Sequence, residues 1–379
     1  MSVPDPPGFV PPPYPQDRLG VLRDTAGALP GGAVDLSAGI PCDPPPAVAA
    51  AALADVDAAR PYPASIGTPR LLEAACGWMR RRLGVDVSPE HVAACVGTKE
   101  LVAGLPHWLR LRQPHRDTVL YPAASYPTYE MGAVLAGCRA VPVPLDARWR
   151  LDLDAIDPRD AERALCLWVN TPGNPTGGLD DLDAVAAWGR HHEVLVLSDE
   201  CYTEFTWEGP PRTILTAGRQ GVLAVHSVSK RSNLAGLRVG FYAGDPELVG
   251  YLGELRKHAG LMAPGPAQAA AAAALDDDLH VDEQRDRYRR RLDMMAAALG
   301  AVGSDTALPA GAFYLWAPVP DRFDGDEWSF ATFLAEVSAA VVAPGEIYTG
   351  GRSTGRVRLT TTQPDDVLER VADRLHSVT

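Results

Sequence analysis

The chain is poor in cysteine, and none of its cysteines are paired along the sequence. Its six (Cys42, Cys76, Cys95, Cys138, Cys166 and Cys201) are scattered singly through 379 residues, with no C-x-x-C motif. That spacing gives neither a disulfide framework nor a zinc-ligand pattern, so reduced core thiols and no metal site are expected. Positive charge is also short: 35 Lys and Arg against 48 Asp and Glu leave a formal net charge of −13. This balance argues against nucleic acid or an anionic membrane as a partner. No apolar run approaches the ~20 residues of a membrane helix. The alanine tract at 267–274 is too short to span and reads as a tightly packed helix. A charged start followed by an apolar stretch is missing at the N-terminus, so no targeting segment is expected and a cytoplasmic location is. There is no internal repeat.

What is present is apolar surface in regular spacing. Hydrophobic residues make up 46% of the chain, enough to bury a sizeable core. The length suits two domains of roughly 100–200 residues each. Residues 1–44 are rich in Pro and Gly (Pro11-Pro12-Pro13-Tyr14-Pro15), which predicts an extended arm packed on something larger, lying near a small domain. Val34 to Pro41 reads as a short strand and a turn. Residues 45–280 predict a large domain. There, short apolar runs (92–96, 118–121, 165–169, 194–198, 222–225 and 239–243) alternate with helical segments. Such alternation is the mark of a mainly parallel sheet covered by helices on both faces. Residues 281–379 predict a smaller α+β domain, with strands near 312–317, 340–343 and 356–360. Its first helix opens with a basic run, Arg285 to Arg291, which reads as a solvated helix face.

The polar residues of interest fall just after the predicted strands, where open α/β sheets bind ligands. Lys230 follows the apolar run Val222 to Val225. A lysine there resists desolvation, and burial lowers its pKa and frees the amine for Schiff-base chemistry. Ser227, Ser229 and Arg238 flank it with groups suited to a phosphate. Gly97-Thr98-Lys99-Glu100 starts a helix, and its free backbone amides suit the same anion. Asp199, after another strand, needs a partner; a helix cap or a structural ion pair would satisfy it as well as a protonated ring nitrogen. Asn174 lies in the rigid loop Asn170 to Gly177. Tyr126 is either a ring-stacking residue or a core tyrosine. Arg356 and Arg358 share one face of a strand, where one of them can fork onto a carboxylate, unless the strand is simply an exposed edge.

In order and spacing these runs resemble the class I/II aminotransferases, the fold type I pyridoxal-phosphate enzymes. The resemblance covers nearly the whole chain, from Leu36-Ser37-Ala38-Gly39-Ile40-Pro41 to Val357-Arg358-Leu359. It implies a seven-stranded, mainly parallel sheet in the large domain. It implies that Lys230 carries the cofactor and shuttles the α-proton, and that Asp199 partners the pyridine nitrogen. Asn174 and Tyr202 would contact the phenolic oxygen, and Tyr126 would stack on the ring. Thr98, Lys99 (through its amide), Ser227, Ser229 and Arg238 would cradle the phosphate. Arg358 would grip the substrate carboxylate beside Gly39 and Asn174. Tyr62 matches a tyrosine that reaches toward a partner subunit's phosphate, which implies a homodimer.

A closer likeness is to the actinobacterial N-succinyldiaminopimelate aminotransferases of lysine biosynthesis, through Tyr62 to Thr68, Ser229 to Gly236 and Arg256 to Met262. Leu237 departs from this pattern, standing where a tyrosine is common. The likeness implies glutamate and 2-oxoglutarate as one substrate pair and N-succinyl-LL-2,6-diaminopimelate as the other amino compound. Arg60, Tyr129 and Arg231 are the candidates for its distal end. An aminotransferase for aspartate, alanine or an aromatic amino acid, or a β-lyase, would share the same fold. A transcription regulator of this fold would need a helix-turn-helix module where only the Pro-rich arm is expected.

Overall fold

The computed structural model describes residues 8–378; the first seven residues of the expected arm lie outside the described residues. Twelve strands form three sheets among the described residues. They are β1 (Val34–Asp35), β2 (Val92–Cys95), β3 (Thr118–Pro122), β4 (Arg139–Val143), β5 (Ala164–Asn170), β6 (Leu195–Asp199), β7 (Val222–Ser227), β8 (Gly240–Gly244), β9 (Tyr314–Pro318), β10 (Ala340–Val341), β11 (Ala343–Pro344) and β12 (Arg356–Thr360).

The large sheet has seven strands in the order β2-β8-β7-β6-β5-β3-β4. All neighbours are parallel except β8, which runs antiparallel to β2 and to β7. The middle strands are apolar up to their polar C-terminal ends because helices cover both faces: every residue of β5 and of β7 is buried. β4 carries no such signal. It is an edge strand with Arg139 exposed and Pro142 inside it, and Pro is tolerated at an edge because it costs no internal hydrogen bond there. The predicted alanine helix is Gly265–Asp276, and it packs closely on the helices Ala47–Leu53 and Pro69–Trp78.

The small sheet is antiparallel, ordered β11-β12-β9, and β1 pairs with β10 beside it. The N-terminal segment therefore joins the hydrophobic core around the small sheet through Leu19, Leu22, Val34 and Leu36. It is not extended throughout, as its proline content suggests. Residues 15–19 form a 3-10 turn and Gly20–Gly27 an α-helix that packs on the helix Glu327–Ser338. The basic run also departs from expectation. Arg289 and Arg290 are exposed, but Arg291 is buried against Asp43 at 2.7 and 2.9 Å, and Arg285 lies over Trp207. The run combines a wet face with an ion pair that ties the long helix Leu279–Ala301 to the N-terminal segment.

One buried charge pair sets the helix that begins the candidate site. Arg256, fully buried on the helix Pro246–His258, forks onto Glu100 at 2.9 and 2.8 Å. Glu100 sits in the first turn of Thr98–Arg112, next to Thr98 and Lys99. Removing one partner of a buried pair leaves the other uncompensated and costs about 3–5 kcal/mol. Glu100→Ala should therefore lower the unfolding free energy by roughly 3 kcal/mol in urea melts, while Glu90→Ala, at an exposed carboxylate, should leave it within about 0.5 kcal/mol.

Candidate active site

The parallel strands β5, β6 and β7 end on one edge of the sheet, at Asn170, Asp199 and Ser227. A cavity of about 580 Å³ opens there, within the usual range for a small-molecule site. Of the residues singled out in the sequence, Gly39, Thr98, Lys99, Tyr126, Asn174, Asp199, Tyr202, Ser227, Ser229, Lys230, Arg238 and Arg358 all line it. Lys230 and Asp199 thus face the same space.

At one end the groups are anion-binding. Gly97, at φ +75°, leads into the helix whose first-turn amides have no intrahelical acceptor. A Cβ at Gly97 would collide with the Arg238 guanidinium, so the two residues fit together only because one lacks a side chain. The Ser227 hydroxyl accepts from the Ser229 amide at 3.1 Å, which caps the turn Val228–Arg231 that carries Lys230. The Lys99 side chain points elsewhere, donating to the Tyr14 hydroxyl at 3.0 Å, so only its backbone is available to the anion.

At the centre Asp199 is buried. Burial pushes its pKa up, against bonds from Cys201 and Tyr129 that pull it down. Tyr129 donates to it at 2.8 Å and the Cys201 amide at 3.2 Å. A carboxylate so placed is completed by a cationic N–H donor. Across the cavity, Tyr202 and Tyr314 share a hydroxyl hydrogen bond of 2.8 Å. The Lys230 ammonium donates to the Gly39 carbonyl. Burial pushes its pKa down to about 8; Cys201 opposes this, and the charges of Arg358 and Arg238 add to it.

At the far end Arg358 is buried. It donates to the Asn174 side-chain oxygen at 2.7 Å and to the Ser37 carbonyl. Its guanidinium lies over the rings of Tyr314 and Tyr348, at 4.5 and 4.6 Å, and its Nε has no acceptor among the described residues. Anion-binding groups, a buried carboxylate, a depressed lysine and a forked arginine are the complement of a phosphorylated pyridine aldehyde with an amino acid beside it.

The model of the aminotransferase class I and II family matches residues 32–375. The chain belongs to the class I and II aminotransferases. It is 40% identical to a 4-dedimethylamino-4-oxo-anhydrotetracycline transaminase of Streptomyces rimosus, over 96% of this chain and 99% of that one. It is 36% identical to an LL-diaminopimelate aminotransferase of Desulforudis audaxviator, over 83% and 81% of the two. Among solved structures, substrate-bound BacF of Bacillus subtilis superposes with a TM-score of 0.89 at 27% identity, covering 98% of each chain. The family and its fold depend on pyridoxal phosphate, and the residues present fit it. This cofactor supplies an electron sink for a carbanion next to the transferred nitrogen.

Three sequence-based candidates lie outside this cavity. Tyr62 is 94% exposed, and Arg60 is an exposed residue paired with Asp57. Arg231 is buried in an ion network with Glu204 and faces away. Tyr129, the remaining candidate for the substrate's distal end, does touch the cavity; it is fully buried and donates to Asp199, so it orients that carboxylate. Cys201 and Cys42 do not behave as core thiols either, since one lines the cavity and the other is exposed. Tyr314 was not singled out as a site residue, though it bonds Tyr202 and supports Arg358. Its neighbours Phe313 and Leu315 read as plain strand, so nothing local marks it.

Two outcomes follow from this geometry. In cofactor-free protein, Lys230 loses its proton near pH 8, whereas in the unfolded chain it keeps it to about 10.5. The unfolded state then binds more protons between those values, so stability from this group rises with pH across that window. Denaturant melts should show the rise, and Lys230→Met should flatten it. Arg358→Lys keeps the charge but loses the fork, and steady-state kinetics should give a KM for the amino acid raised roughly tenfold or more.

Proposed function

We propose that this enzyme transfers an amino group between glutamate and the succinylated diaminopimelate precursor, forming N-succinyl-LL-2,6-diaminopimelate from the corresponding 2-oxo acid and returning 2-oxoglutarate. The observation that carries this reading is the buried Arg358 fork in a cavity of about 580 Å³, a volume that accommodates a substrate with a second polar end. Both substrates share an α-carboxylate for that fork and differ only beyond it. The name of the Desulforudis relative supports a diaminopimelate-type substrate.

In this reading Arg358, braced by Asn174, fixes the α-carboxylate so that the α-hydrogen faces Lys230. Lys230, as a free amine, would take that proton onto its Nζ and serve as its shuttle. Its depressed pKa suits this, because the amine is then partly unprotonated near neutrality. Asp199, held by Tyr129, would keep the cofactor's ring nitrogen protonated. Tyr202 and Asn174 would hold the phenolic oxygen, and Thr98, Ser227, Ser229 and Arg238 would hold the phosphate. The fully exposed Tyr62 side chain supports a homodimer in which it reaches the partner's site.

The Streptomyces relative, alike over almost its whole length, favours a second reading in which the acceptor is a 4-oxo-anhydrotetracycline. A panel separates the two. With 2-oxoglutarate as acceptor, kcat/KM for N-succinyl-LL-2,6-diaminopimelate should exceed that for aspartate, alanine, phenylalanine and cystathionine by at least about 1.4 kcal/mol of transition-state binding, a tenfold preference. Equal rates across the panel, or turnover confined to the tetracycline ketone, would reject the proposal.

A further inference from the structure

A second cavity of about 580 Å³ lies on the other side of the Asn174 loop. The large domain contributes Arg148, Trp149, Arg150 and residues 176–179; the small-domain side contributes residues 307–310, Trp316 and Arg356. None of these lines the first cavity. Arg150 is neutralised by Asp146 at 2.7 Å. Arg356 is not neutralised. Its side chain is half-buried and donates only to the Trp316 carbonyl, at 2.8 Å. Among the described residues it has no carboxylate within ion-pair distance, and neither does Arg148. A guanidinium removed from water without a counter-ion is a standing cost that a bound anion relieves. Burial alone lowers the Arg356 pKa, with no neighbouring charge acting on it.

Two indoles, Trp149 and Trp316, form part of the wall of this cavity. The Arg356 guanidinium lies 5.1 Å from the centre of the Trp149 ring, and Trp149 meets Trp316 edge-on at 6.4 Å. Trp316 is 5% exposed, and its indole N–H has no acceptor. Trp149 is held at φ +62°, a conformation in which a bulky residue is an outlier. The one carboxylate on the lining, Glu208, is exposed, so positive charge prevails inside.

We propose that this cavity is a binding site for a small aromatic carboxylate, its anionic group on Arg356 and its ring against Trp149 and Trp316. The occupant sits against the loop that carries Asn174: Gly178 is packed on Trp149 and Gly177 on Pro309, both walls of the site. Arg356 also shares a face of β12 with Arg358. The site therefore lies beside the carboxylate fork, two residues away along β12.

Calorimetric titration of the holoenzyme with indole-3-acetate tests this. The titration is run both without and with excess maleate, a dicarboxylate that competes for Arg358. One site per chain is expected, with acetate alone and indole alone binding at least roughly tenfold more weakly. Arg356→Gln should weaken indole-3-acetate by roughly tenfold, with the cofactor's visible absorbance and the thermal transition unchanged. If Arg356→Gln does not fold, Trp149→Ala takes its place with the same expected loss. Absence of binding in the wild type, binding abolished by maleate, or binding unchanged in the folded variant would overturn the proposal.

Discussion

The arrangement depends on a single buried guanidinium. Arg358 belongs to β12 of the small sheet, yet its hydrogen bonds go to Asn174 of the large-domain loop and to the Ser37 carbonyl of the N-terminal segment. Three stretches of chain, far apart in sequence, are fixed by one planar cation. Desolvating it is costly, and the cost is offset by these two acceptors and by the faces of Tyr314 and Tyr348. The free Nε and the open cavity before it leave the charge incompletely satisfied, which is the state a carboxylate ligand completes.

The same logic repeats around the cavity. Asp199 and Lys230 are each placed by a strand end, where the sheet supplies burial but too few partners. Burial pushes the carboxylate's pKa up and the amine's down, so each is held away from its comfortable protonation state. A protein that only needed to fold would gain by replacing such groups with apolar ones. Their presence together, on one side of the sheet, is what makes the site chemical rather than structural.

Much of this was legible in the residues. β5, β6 and β7 are continuous apolar runs that stop at a polar residue, and that pattern gives both the strand and its functional end. The Gly97-Thr98 junction was legible for the same reason. β4 was not, because an edge strand with a proline and an exposed arginine carries little apolar signal. The helix Gly20–Gly27 was hidden by the prolines before it, although Leu19, Leu22 and Ala26 bury one face of it in the small domain. The roles of Tyr129 and Tyr314 depend on contacts across 70 and 112 positions of sequence, and no local pattern encodes these. Family resemblance pointed to twelve residues that line the cavity, but not to the bond by which Tyr129 orients Asp199.

The short stretch Ser37-Ala38-Gly39 links events that are usually described separately. Its first carbonyl holds Arg358 and its last holds Lys230, two residues apart. Gly39 also has no room for a methyl group beside the Tyr314 hydroxyl. The guanidinium that grips one end of the cavity and the amine at its centre are thus anchored to the same three residues of backbone. Any change that shifts this stretch disturbs both holds at once.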